Sequence, residues 1–186
     1  ANFGTAAAFV APLTLYVLTL APTVYNLDSA ELTTAAATGG LTRSTGYPLY
    51  LALGMLWSRL PIGDVGYRMN LLSAILGALT IALGERILSR LRVDAWGRLL
   101  GLGLLASSTY FWALSLIAEV YTLHTALMAG TILALLRWAE RPGPRRLSLV
   151  GLLTGASLAH HGATILLLPG YAWFILSKAS LRRLTL

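Results

Sequence analysis

The 186 residues contain no cysteine, which excludes disulfide bridges, thiolate metal sites and a cysteine nucleophile. Acidic side chains are scarce as well, seven Asp and Glu in all, and there are three histidines. Charged residues make up 11% of the chain against 56% hydrophobic, and the mean hydropathy is +0.71. That is far more apolar surface than one soluble core of this size hides, so a water-soluble globular domain is excluded and a polytopic membrane protein is indicated. Also missing is any basic helix with interleaved aromatics. The net charge of +7 and the pI near 10.3 therefore do not point to nucleic acid. The basic residues sit in short patches between apolar spans, where they act as an orientation signal. No internal repeat and no low-complexity linker occurs. The start at Ala-Asn-Phe and the end in SLRRLTL fit the N-terminal part of a longer protein, read here as one transmembrane domain over residues 1–186.

Apolar runs define the spans. Residues 7–25 are nineteen positions without a charge, about 28 Å as a helix and long enough for a bilayer core of roughly 30 Å. Residues 69–84, 99–118 and 120–136 read as three more. Residues 147–177 form a stretch of 31 whose only ionisable side chains are His160 and His161. One helix of that length would measure about 46 Å, too long for a single crossing.

Charge decides how it is divided. Of the fourteen Lys and Arg, eleven fall in three clusters: Arg86, Arg90, Arg92 and Arg98; Arg137, Arg141, Arg145 and Arg146; Lys178, Arg182 and Arg183. With all three on the cytoplasmic side, the chain between each pair crosses twice, which makes 147–177 a hairpin with the histidine pair at its tip. The expectation is an all-α bundle of about six spanning helices. Residues 26–67 form a long first outer loop carrying two membrane-lying helices, at 27–38 and 47–60. The second of these is too short to span.

This topology gathers Asp28, Glu31, Glu119, His160 and His161 at the outer membrane face, with His124 about one turn into the fourth span. Ionisable groups near the membrane are functional candidates by default. On a helix from 27 to 38, Asp28 and Glu31 share a face, with Ala30, Leu32 and Ala35 to Ala37 available for apolar contact. Asp28 and Ser29 can equally be simple caps of that helix. Adjacent histidines on a helix point about 100° apart and cannot readily chelate one ion together, so no metal and no other cofactor is expected. His124 is open between a site role and an interhelical hydrogen bond.

APTVYNLDSAEL, GYPLYLALGMLWSRLPIGDVGYRMNLLSA, AEVYTLH and LAHHGATILLLPG each resemble a signature block of a polytopic membrane family long labelled a domain of unknown function, which includes a vertebrate endoplasmic-reticulum protein O-mannosyltransferase. The blocks occur in order and cover nearly the whole chain. One departure is clear: where the family commonly has a His-Pro-Pro type sequence before GYP, this chain has Arg43-Ser44-Thr45.

The resemblance implies a GT-C-like fold and a glycosyltransferase that takes sugar from a polyprenyl-phosphate carrier and keeps acidic catalytic residues in the first outer loop. On this chain it implies Asp28 as the base that deprotonates an acceptor hydroxyl, with Glu31 as its partner or as an acceptor-orienting group. Arg43 and Arg68 are the outer arginines available to the leaving phosphate, although Arg68 can also be a snorkelling anchor. Glu119, His124, His160 and His161 complete the substrate-binding candidates.

Two other readings stand beside this one. The chain can be a catalytically silent GT-C-derived subunit packed against other membrane subunits. A transporter is third, disfavoured by the absence of an inverted repeat. Leu, Gly and Arg usage favours a bacterial inner membrane with the active face periplasmic, or the endoplasmic reticulum in a eukaryote. Expected partners are the lipid-linked sugar and membrane lipids, and no nucleic acid.

Overall fold

The structure, a computed structural model, describes residues 3–26, 28–42 and 46–183. Among them are nine α-helices, one short 3₁₀ segment and no strand. The helices are α1 (Phe3–Leu18), α2 (Asp28–Thr38), α3 (Pro48–Trp57), α4 (Val65–Arg90), α5 (Ala95–Ser107), α6 (Thr109–Leu116), α7 (Val120–Glu140), α8 (Pro144–His160) and α9 (Leu168–Arg183), with the 3₁₀ segment at Gly162–Leu167. The all-α polytopic expectation holds.

Helices α4 and α7 form the centre and run in the same direction, as shown by Thr80 facing Thr125 with their hydroxyls 3.1 Å apart and Arg90 bonding Glu140 at the far end. Small residues let α4 be approached closely. A Cβ added at Gly77 would stand 2.5 Å from the Ser115 hydroxyl of α6, and one at Gly66 would stand 2.2 Å from the Val24 backbone nitrogen. Helix α1 packs on α4, and its buried Tyr16 donates to the Ala106 carbonyl of α5 at 2.9 Å. Asp64 and Asp94 start α4 and α5 by accepting from the backbone N–H of Tyr67 and Gly97. Large apolar side chains face outward, with Leu104 and Trp173 each 72% exposed. In water such a surface would drive aggregation; in lipid it is the required outer coat.

The hairpin at 147–177 is present. Helix α8 carries the chain from Arg145 and Arg146 to His160, and α9 returns beside α7 through Tyr171, Phe174 and Ile175. Not every one of the expected spans is a single long apolar helix. Among the described residues, three helices are long and apolar enough to cross a membrane, or four if α5 and α6, bent by 58° against each other, make one span. Helix α1 stops at Leu18, at about 24 Å, and residues 19–26 continue without helix, their Ala21 N–H bonded to the Leu116 carbonyl at 3.2 Å. The expected unbroken third span is interrupted at Ser108. The Ser107 hydroxyl bonds the Gly103 carbonyl and the Ser108 hydroxyl the Leu105 carbonyl, each at 2.8 Å. Serine–carbonyl bonds of this kind compete with the helix ladder and bend it.

Candidate functional site

The site grows from three places where helices start or stop. The first is the opening turn of α2, where Asp28 and Glu31 both point at the positive end of the helix dipole. The helix buries Ser29, Leu32, Thr33, Ala35 and Ala36. The apolar face thus lies one residue away from the expected one, with Ala37 exposed. Ser29 is not a cap, since its hydroxyl is buried without a partner.

The second place is the start of α3. Gly46 and Tyr47 both have positive φ, 67° and 40°. Glycine adopts this freely, whereas for tyrosine it is strained and worth a functional reading. The conformation sets the Tyr47 ring 6.0 Å, centroid to centroid, from both His160 and His161.

The third is the extended break between α6 and α7, where Glu119 stands with φ −143° and ψ 142°. Helix α4 pins this break. Asn70, fully buried, accepts from the Ala118 N–H at 2.8 Å and donates to the Ala21 and Thr23 carbonyls, each at 2.9 Å. One turn on, the Ser73 hydroxyl accepts from the Glu119 N–H at 3.1 Å.

These three starts converge on a cavity of about 210 Å³ lined by Asp28, Glu31, Glu119, Tyr47, Tyr121 and Thr42, among others. Burial, and next the nearby Asp28 charge, push the Glu119 carboxyl above its ordinary range. Neither Asp28 nor Glu119 has a cationic partner among the described residues. The Thr42 hydroxyl, on the cavity wall, is buried without a partner among the described residues.

Behind Tyr47 and Tyr121 lie the three histidines. His124 and His161 approach to 4.6 Å between ring centroids, His160 stands 6.3 Å from His124, and Tyr121 lies 5.9 Å from His161. His160 is 1% exposed, and its Nε2 meets the Val120 carbonyl at 2.9 Å. Only a protonated Nε2 can donate there, which in the neutral ring leaves Nδ1 an acceptor, and that atom is buried without a partner among the described residues, as is His124 Nδ1. His161 Nδ1 accepts from the Ala163 N–H at 3.2 Å, so its Nε2 carries the ring proton. No group of three His, Asp or Glu among the described residues is placed to hold a metal ion.

The expected residues therefore separate. Asp28, Glu31 and Glu119 meet at the cavity, with His124, His160 and His161 beside it. Arg68 does not join them. Its guanidinium donates to the carbonyls of Ile62 at 2.7 Å, Gly63 at 2.8 Å and Ser58, closing the turn between α3 and α4. Three of its five donors are thereby committed to the turn, and Arg68 is not on the wall of the carboxylate cavity. Arg43 lies outside the described residues. Asn70 and Ser73 are positioning residues that the reading of the chain passed over; a lone asparagine inside a charge-free span was the available signal.

The family model for the Protein O-mannosyl-transferase TMEM260 N-terminal domain matches residues 28–184. The chain belongs to this family. The TMEM260 match opens at Asp28 and takes in every candidate site residue. Protein O-mannosyl-transferase TMEM260 of Mus musculus is 32% identical over 190 residues, covering 98% of this chain and 27% of that protein. The chain thus spans about a quarter of the length of its mouse relative. No solved structure matches it. The comparisons offer no support for the expectation of a bacterial inner membrane.

Proposed function

We propose that the chain is the catalytic transmembrane part of a glycosyltransferase of GT-C type. It would move a sugar, mannose by the name of its relatives, from a polyprenyl-phosphate carrier to an acceptor hydroxyl on the non-cytoplasmic face. The observation that carries this is the meeting of Asp28, Glu31 and Glu119 around one cavity. A silent subunit has no use for an open pocket lined by carboxylates at an energetic cost to the fold.

In this reading the Asp28 carboxylate takes the proton of the acceptor hydroxyl as its oxygen attacks the anomeric carbon, and the bond from that carbon to the phosphate oxygen breaks with its electron pair going to the phosphate. Asp28 is exposed at the cavity mouth, where a base can stay ionised and within reach of an incoming hydroxyl. Glu31 and Glu119 orient the acceptor. Tyr47 and Tyr121 form aromatic walls for the sugar. The departing phosphate needs donors, and the Nε2–H of His161 is one, with Arg43, on the segment between α2 and α3, as a further candidate.

The test is transfer of labelled mannose from polyprenyl-phosphate mannose in membranes containing the chain within its full-length protein. Asp28→Asn should lower the rate about 10²- to 10⁴-fold with the amount of folded protein unchanged. Full activity in that variant would remove Asp28 as the base.

A further inference from the structure

The opposite end of the bundle holds a second cavity, of about 500 Å³, within the range of small-ligand sites, about 300–1,000 Å³. Four arginines line it from different elements: Arg90 at the end of α4, Arg137 in the last turn of α7, Arg141 in the turn that follows, and Arg146 in the first turn of α8. Glu140 is the one acidic residue on the wall, which leaves the cavity with a net charge of +3.

An orientation signal requires basic residues on one side of the membrane, and nothing more; solvated, scattered arginines serve it as well as converging ones. Here the side chains converge. The Arg146 guanidinium is held by the carbonyls of Arg137 and Arg141 at 2.8 and 3.0 Å, which fixes the turn between α7 and α8. Arg90 reaches Glu140 through Nη1, while its Nε is buried with no acceptor. The guanidiniums of Arg137 and Arg141 have no acceptor among the described residues. A buried donor with nothing to donate to is costly, and so is the mutual repulsion of cations around a pocket. An anion relieves both.

We infer that this cavity binds the phosphate of an anionic lipid headgroup. The guanidiniums present forked donors that match phosphate oxygens, and basic pockets between transmembrane helices are suited to such headgroups. Ala134 and Leu149 provide an apolar wall on which the glycerol and the first acyl carbons can rest. The inference rests on the membrane character of the chain and is independent of the sugar-transfer reading.

The experiment is native mass spectrometry of the purified chain in a neutral detergent, titrated with phosphatidic acid, with phosphatidylcholine, or with inorganic phosphate. Phosphatidic acid should be retained in preference to phosphatidylcholine. Removing two of the four charges with Arg137→Gln/Arg141→Gln should weaken retention about thirtyfold, taking about one kcal/mol per arginine. Arg145→Gln, which removes a charge from the same region without touching the cavity wall, should leave it within about twofold. Glu140→Gln frees Arg90 and should strengthen it, and this variant keeps the question open to a decision if the double variant folds poorly. Equal loss in Arg145→Gln, no preference over phosphatidylcholine, or unchanged retention in Glu140→Gln would each overturn the inference. Displacement of the lipid by millimolar inorganic phosphate would reassign the cavity to a free anion.

Discussion

The two ends of the bundle treat their carboxylates in opposite ways. At the arginine end, Glu85 is buried in α4 yet accepts from Thr5 at 2.6 Å and from Arg98 at 3.2 Å, and Glu140 pairs with Arg90. Asp94 answers the N-terminus of α5 there, and Asp64 that of α4 at the opposite end. At the other end Asp28 and Glu119 stand in a cavity without a cation among the described residues. Only seven acidic residues exist in the chain. Four of them serve the scaffold in this way, and Asp28, Glu31 and Glu119 share one pocket. A charge at the membrane is expensive, so one that is matched explains itself by stability, whereas Asp28 and Glu119, unmatched among the described residues, demand another reason. The contrast separates architecture from chemistry without reference to any relative.

Four changes would break or sharpen that contrast. The largest effect belongs to the cavity: Asp28→Asn is expected to remove nearly all transfer while leaving the unfolding temperature within a degree or two, as read by thermal shift beside the mannose assay. Next is Asn70→Ala. It strands the buried Ala118 N–H, at about 1–3 kcal/mol for a buried unpaired group, and removes the donors of the part-buried Ala21 and Thr23 carbonyls, so a drop in melting temperature and a lost activity should appear together. A stable but inactive variant would contradict the pinning role.

The third is Glu119→Gln, where the sign can be worked out. The folded-state pKa of Glu119 lies above its ordinary value, so the folded state is fully stabilised by this group below the ordinary carboxyl range and loses that contribution as pH rises through the raised pKa. The glutamine variant should therefore melt slightly higher than the wild type at neutral pH. The gap should close near pH 4, and a gap that widens on acidification would refute the assignment. The smallest effect is expected at the other end. Glu140→Gln removes half of a partly exposed ion pair, which is worth at most about 1 kcal/mol, and denaturant titration should find it nearly neutral.

Much of the fold could be read from the chain because charge and hydropathy carry it. The three basic clusters forced 147–177 into a hairpin, and the hairpin tip falls at His160 and His161 as that argument requires. Helix lengths were less legible. Periodicity cannot see that Ser107 and Ser108 bend the third span through their hydroxyls, or that α1 ends at Leu18 although the apolar run continues to Tyr25. The cavity carboxylates were visible as charges bordering apolar runs. Arg68 looked the same at that level, and only the three carbonyls of the α3–α4 turn distinguish a clasp from a ligand. Asn70 was hidden for the opposite reason: it is uncharged, and its importance lies in backbone groups from distant parts of the chain, which no local pattern records.

Asn70 has a consequence for assembly. Its amide joins main-chain groups that follow α1 to one that precedes α7, so its donors find their carbonyls once α1 and α4 are together, whereas its acceptor waits until the start of α7 has come beside α4. A nascent chain halted after α4 would satisfy the carbonyls and still lack Ala118 and Glu119. The pocket is therefore a late product of biogenesis, complete only when the central helices have come together.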